Sequence, residues 1–389
     1  MLPREQYLPA AGKDRSQWMS IRYIDAGLTL LERHTTSGES DAYYGHQQRI
    51  STDNGRTWSH RETFETVVQQ LDGGGIVSYP GAIHFDPTHN RRYEYRGHRT
   101  WPGMPVYTFL WDGHQHPYND HCFASIDDGP EELLRYEDGP DFDPANPFDP
   151  AFCRTNCAYG GQGIVFGSDG TAYLPLCART GTDDNQHNTG GLLVMRRRLT
   201  DNAWQPSNIE HLSTEQSSRG VLEPDTAVLR DGTLLTVVRG SNTKTTPGHK
   251  WFSVSTDRGR TISPLEEFRY DDGSSFYSPS SIHYFIRSSR NGKLYWLANI
   301  TPGPPEGNGP RYPLYIAEIN EDRLAVKQDS LILADDREAG DPDGVQLSNF
   351  NVIENRETLD FEIYMTRLGE VPSHFWQGAV YRYIFSPPA

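Results

Sequence analysis

Six β-hairpins, recurring from one end of the chain to the other, constrain this sequence more than any single motif. Each copy has a polar or glycine-bearing start, a short apolar strand, a tight turn and a second strand. The copies occupy residues 20–33, 79–98, 161–179, 223–239, 278–299 and 348–367. Three of them turn at Asp169-Gly170, Asp231-Gly232 and Asn291-Gly292; the others turn at Ala26-Gly27, around His89-Asn90 and around Asn355. Asp-Gly and Asn-Gly between alternating apolar runs are strong hairpin signals, because the tight turns that match strand twist need positive φ. Hairpins repeating at intervals of about 40 to 70 residues mark the blades of a propeller. Third strands follow at 45–50, 191–199, 250–255, 313–319 and 379–385. The expected fold is therefore all-β, a six-bladed β-propeller of four-stranded antiparallel blades forming one domain over residues 1–389. Its last strand takes third place in blade six, so Arg4–Leu8 is expected to supply the outer strand, closing the ring and covering exposed edges.

Composition agrees with many short strands and turns: 12% aromatic residues, including 21 Tyr and 8 Trp, with 36 Gly and 27 Pro. The formal charge of -16 argues against nucleic acid, which needs a basic surface. It does not exclude a small anion, since a few arginines converging in a cleft can hold one carboxylate whatever the net charge. No apolar run is long enough to span a bilayer, and Met1 to Tyr7 lacks the pattern of a leader. The expectation is a soluble protein without membrane contact, secreted or periplasmic if a leader was removed and otherwise cytoplasmic. Of Cys122, Cys153, Cys157 and Cys177, Cys153 and Cys157 are closely spaced but have no second Cys or Cys/His pair, and no Asp-rich loop has calcium-binding spacing, so no metal or other cofactor is expected. Asp335-Asp336 and Asp341-Pro342-Asp343 read as a solvated acidic loop.

Two third strands run into Ser51-Thr52-Asp53-Asn54-Gly55-Arg56-Thr57-Trp58 and Ser255-Thr256-Asp257-Arg258-Gly259-Arg260-Thr261-Ile262. These are Asp-boxes, hairpin turns in which the Asp bonds turn amides and Gly takes positive φ. A degraded copy covers 199–204. The stretch from Glu223-Pro224-Asp225 to Arg239, followed by Lys250-Trp251-Phe252-Ser253-Val254 and the second Asp-box, resembles blade four of the sialidase (neuraminidase) superfamily, known for its Asp-box or BNR repeats.

That resemblance implies a glycoside hydrolase, an exo-glycosidase of the retaining type releasing a terminal acidic sugar, sialic-acid-like or uronic, from an oligosaccharide or glycoconjugate. It implies three arginines around the substrate carboxylate, for which Arg15, Arg239 and Arg311 are the candidates, and a glutamate base, Glu223. Its acid aspartate corresponds to Asp41, with Glu39 second. The nucleophilic tyrosine should open blade six, yet the chain there reads Val345-Gln346-Leu347-Ser348-Asn349-Phe350; Tyr277, before blade five, is the substitute candidate. Read from the residues alone, Arg33, Arg179, Arg239 and Arg367 end second strands near the mouth, and Arg179 and His46 join the substrate-binding candidates. His46, His98, His187 and His249 fall in or beside mouth loops. This supports a second class, a lyase in which His98 removes a proton from a uronate, since imidazole titrates near neutrality. A noncatalytic glycan-binding propeller is the third.

Overall fold

The computed structural model describes residues 1–39, 44–64, 67–106, 118–179 and 190–389. They form six antiparallel sheets, with two single-turn 3-10 segments as the helical content among the described residues. Blade one comprises Ser16–Tyr23, Leu30–Ser37, Tyr44–Ser51 and Glu62–Phe64. Blade four comprises Leu222–Val228, Leu234–Arg239, Lys250–Ser255 and Glu266–Glu267. Blade six begins with Gln346–Glu354, Phe361–Leu368 and Val380–Phe385, and Arg4–Leu8 pairs antiparallel with the last of these. The two ends of the chain thus close the ring in one sheet, as the missing outer strand required.

The other three blades depart from strict four-strand form. In blade three the innermost strand is split into Ala158–Gly160 and Val165–Phe166, and in blade five Ala325–Val326 and Ile332–Asp335 share the outer edge. Blade two gains a hairpin, Val67–Leu71 and Gly74–Ser78, which pairs with the upper half of the 12-residue strand Arg91–Pro102 while Ala82–Asp86 pairs with the lower half. Its turn signal, Asp72-Gly73-Gly74, is present in the sequence.

Apolar side chains alternate toward the neighbouring blade, so each seam is a small sandwich core. Leu235, Val237, Phe268, Trp296 and Ala298 fill the seam between blades four and five; Leu297, Ile316, Phe350, Ile363 and Tyr383 fill the next. Near the axis, hydrogen bonds link the blades around the ring. Ile21 N–H donates to Asn351 Oδ1 (2.9 Å), Asn351 Nδ2 to the Tyr284 hydroxyl (3.4 Å) and Phe285 N–H to Asp225 (2.6 Å). Gln162 N–H donates to Pro224 O (3.1 Å), the Tyr95 hydroxyl to Gly161 O (2.9 Å) and Arg22 Nη2 to Gln162 O (3.0 Å).

In both Ser-x-Asp-x-Gly-x-Thr turns the serine hydroxyl bonds the aspartate and takes the glycine N–H, while the aspartate accepts from the threonine N–H and hydroxyl. These bonds pull Asp53 down to about 2, the threonine hydroxyl first, and each turn is complete without a ligand. The acidic stretch after blade five is not simply solvated. Asp335 is buried, pairs with the buried Arg367 and accepts from the Tyr383 hydroxyl (2.6 Å), while Asp341 holds the same guanidinium. A buried arginine requires such neutralisation, and this one is consumed by the blade five to blade six joint. No helix among the described residues is long and apolar enough to cross a membrane.

Candidate active site

A cavity of about 690 Å³ opens on the propeller axis, lined from all six blades. Its blade-four wall is set by a backbone irregularity. The pairing of the first two strands slips between Leu222 and Asp225, and Glu223, in the slip, sits at φ +38°. A left-handed conformation at a non-glycine residue costs on the order of 1–2 kcal/mol and persists only where its surroundings enforce it. Here Pro224 has no N–H to give the ladder, and its carbonyl is taken by Gln162 of blade three.

The displaced Glu223 carboxylate meets Arg239, which ends the second strand. Arg239 Nη1 donates to Glu223 Oε2 and Nε to Ser280 Oγ (2.7 Å). Arg311 reaches the cavity from blade five, with Nε on Asn308 O (3.0 Å) and Nη1 on Gln346 Oε1 (3.2 Å). Arg219, just before blade four, donates to Ser241 Oγ (2.8 Å) and lies 3.5 Å from Asn308 Oδ1, so it and Arg311 hold the same residue. Behind them Lys250 is buried, its ammonium donating to the carbonyls of Pro279 and Ser281 (2.8 Å each). Burial first, and then the neighbouring Arg239, push Lys250 well below the usual lysine range.

Blade two supplies a second ion pair. Asp120 lies opposite Arg99 across its strands and takes Nε and Nη2 of the guanidinium at 2.7 and 2.8 Å. The Arg99 guanidinium lies 4.2 Å from the Tyr118 ring centroid and 5.7 Å from that of Tyr79. Blade three contributes Tyr159, Gly160, Gly161 and Gln162, and burial raises the Tyr159 phenol well above its usual range, with Cys177 and then Glu223 adding to the effect. Trp18, Met19, Phe350, Phe375 and Trp376 make the side formed by blades one and six apolar. Tyr95, Gln162, Tyr284 and Asn351 belong both to the axial hydrogen bonds and to the cavity lining.

Of the residues singled out from sequence, Glu223, Arg239 and Arg311 come together on this lining. Arg15 stands outside it, exposed before the first strand, its N–H on Gly12 O (3.2 Å). His98 faces away from the axis: Tyr95, Gly97 and Arg99 alternate toward the cavity, so His98 lies on the other face of the strand, against Phe123 (4.4 Å between ring centroids). Burial first, then Arg96, push its imidazole down to about 4. His46 is buried beside the Thr35 hydroxyl (2.8 Å), and Arg179 donates to Asn119 Oδ1 (2.9 Å); neither lines the cavity. Tyr277 stacks on His249 (5.4 Å), also outside the lining, while Glu39 accepts the Ser37 hydroxyl at its backbone carbonyl (2.8 Å). Asp41 and His187 lie outside the described residues. The opening of blade six places Asn349, Phe350 and Asn351 on the cavity. All four cysteines are buried and unbridged, and no group of three or more potential metal ligands occurs among the described residues.

Sequence reasoning missed Arg99, Asp120 and Arg219. For the first two a signal existed in strand parity, since the choice between His98 and Arg99 is a choice of face. Arg219 carried none, because it precedes blade four outside the repeated hairpin pattern.

The fold is that of the six-bladed sialidase-like propellers. Across nearly their whole lengths the chain is similar to a Dyadobacter fermentans protein of unknown function (TM-score 0.61, 12% identity, 99% of each chain covered). It is similar to the NanB sialidase of Streptococcus pneumoniae (0.60, 12%, 99% of this chain and 70% of that one). It is also similar to a Penicillium chrysogenum α-L-arabinanase complexed with arabinobiose (0.55, 13%, 98% of each). No family model and no curated protein matches the sequence.

Proposed function

We propose that this propeller is a carbohydrate-active enzyme, an exo-glycosidase that releases a terminal acidic sugar and uses Glu223 in the chemistry. The observation that carries the reading is the blade-four wall, where a strained Glu223 faces Arg239 in a cavity that also holds Arg219 and Arg311. Guanidinium groups offer fixed pairs of donors that match a sugar carboxylate and do not lose their protons at working pH. The aromatic side opposite gives the sugar's apolar face a surface to cover. Fold neighbours that include sialidases and an arabinanase support a glycan as the ligand. The retaining route through a tyrosine is less well supported, since blade six opens on Asn349 and Phe350.

The lyase reading needs an imidazole at the substrate, and the described cavity lining contains none. The test is release of free acidic sugar from sialyl- and glucuronyl-oligosaccharides, whose sugar leaving group needs a proton. Turnover by the unsubstituted protein, with a loss of at least about 10³-fold in Glu223→Gln, is the expected result. Binding without turnover would make the protein a lectin-like propeller, and an unsaturated product would make it a lyase.

A further inference from the structure

We propose that Asp120 is the second catalytic carboxylate of this cavity, acting with Glu223 as base and acid on the two sides of the scissile bond. The inference rests on the glycosidase reading above. Hydrolysis of a glycosidic bond is ordinarily done by two carboxyl groups that flank it. Among the described lining residues, the carboxylates are Glu223 and Asp120. They come from blades four and two, and the chain between them on blade three is Tyr159 to Gln162.

Glycine keeps that intervening wall thin. A Cβ on Gly161 would lie 1.7 Å from the Pro224 carbonyl oxygen, and one on Gly160 would lie 2.5 Å from the Tyr95 ring. The close approach of Gly161 to Pro224 also fixes blade three against the strand segment that carries Glu223.

The two carboxylates are held differently. Arg99 engages both oxygens of Asp120 in a fork, and Tyr79 and Tyr118 fix the guanidinium. Arg239 engages Glu223 through one oxygen, Oε2. Both Asp120 oxygens are thus fixed as acceptors, whereas Glu223 keeps Oε1 outside its pair, an atom that can carry the proton to be given. Asp120 is therefore the base and Glu223 the acid. Glu223 gives its proton to the glycosidic oxygen as the bond from that oxygen to the anomeric carbon breaks. Asp120 takes a proton from the water whose oxygen bonds to the same carbon. One water is consumed, two hydroxyl products leave, and a proton passes from Asp120 to Glu223 through solvent to restore both. The displacement is single, so the anomeric configuration inverts.

The test separates catalysis by Asp120 from a purely structural role in stiffening blade two. On a turned-over acidic glycoside, Asp120→Asn is expected to lower kcat by about 10³-fold or more with KM changed less than about threefold. Sodium azide is expected to restore its rate as the glycosyl azide. Glu223→Gln is expected to ignore azide but to keep far more activity on a dinitrophenyl leaving group than on a sugar leaving group. Should Asp120→Asn unfold, Asp120→Glu retains the charge and displaces the carboxylate by one methylene; a folded variant with kcat down about 10²-fold supports the role. Near-normal kcat in Asp120→Glu or Asp120→Asn, with Glu223→Gln inactive, overturns this inference and leaves the glycosidase reading standing. No cleavage by the unsubstituted protein overturns both.

Discussion

Replacing Arg239 with methionine removes the guanidinium but retains most of its apolar stem, and the structure gives the cost in two parts. The fold loses the bond from Nε to Ser280 and the pair with Glu223, whose side chain is one-third exposed. Solvent screening keeps that loss to about 1 kcal/mol. Ligand binding loses a charge-assisted fork to the substrate carboxylate, worth about 3 kcal/mol in a cavity of this burial, or roughly 150-fold in affinity. Calorimetric titration of an acidic sugar and of its methyl ester, against both proteins, isolates the term. The acid is expected to lose about two orders of magnitude in the variant, while the ester, which carries no charge, changes less than about threefold. Equal losses for acid and ester would refute the reasoning, because Arg239 would then shape the wall without reading the charge.

Other outcomes follow from the axial strands. Burial raises Asp225 to about 7, against the opposing effect of the Phe285 and Thr226 amides and of Arg22. A carboxyl whose folded pKa exceeds its unfolded value stabilises the fold at low pH and loses that contribution as pH rises through the folded pKa. The wild-type advantage over Asp225→Asn should therefore shrink by about 2–3 kcal/mol between pH 5 and pH 8 in denaturant titrations; a difference independent of pH would contradict the shift. Gly161→Ala drives a methyl into the Pro224 carbonyl. It should cost about 3 kcal/mol or more of stability and lower activity through Glu223, seen in thermal melts and rates; a silent substitution would show that blades three and four are not fixed here.

The propeller was legible because its signals are local. Asp169-Gly170, Asp231-Gly232 and Asn291-Gly292 each place a glycine at positive φ in a hairpin, and strand alternation sets which side chains enter the seams. Ring closure followed from counting strands in the last blade. The extra hairpin at 67–78 was missed because it interrupts the repeat, although its Asp-Gly-Gly turn was visible. The site was legible where side chain and strand end coincide, as at Glu223 and Arg239, and at Arg311, which enters the third strand of blade five from a Pro/Gly-rich loop. Arg15, His46, Arg179 and Tyr277 had suitable chemistry and lie near mouth-forming segments, but the fold leaves them off the cavity lining. Arg367 stands at the end of its strand, one residue before Leu368, much as Arg239 does, yet a buried Asp335 claims it, and that partner lies 32 residues away in sequence.

A crystal structure of Glu223→Gln with an acidic monosaccharide bound tests the anion seat most directly. The sugar carboxylate should lie against the guanidinium groups of Arg239 and Arg311, with Arg219 alongside and the ring's apolar face toward Trp376. A sugar bound with its carboxylate on the aromatic side, or outside the axial cavity, would contradict the account.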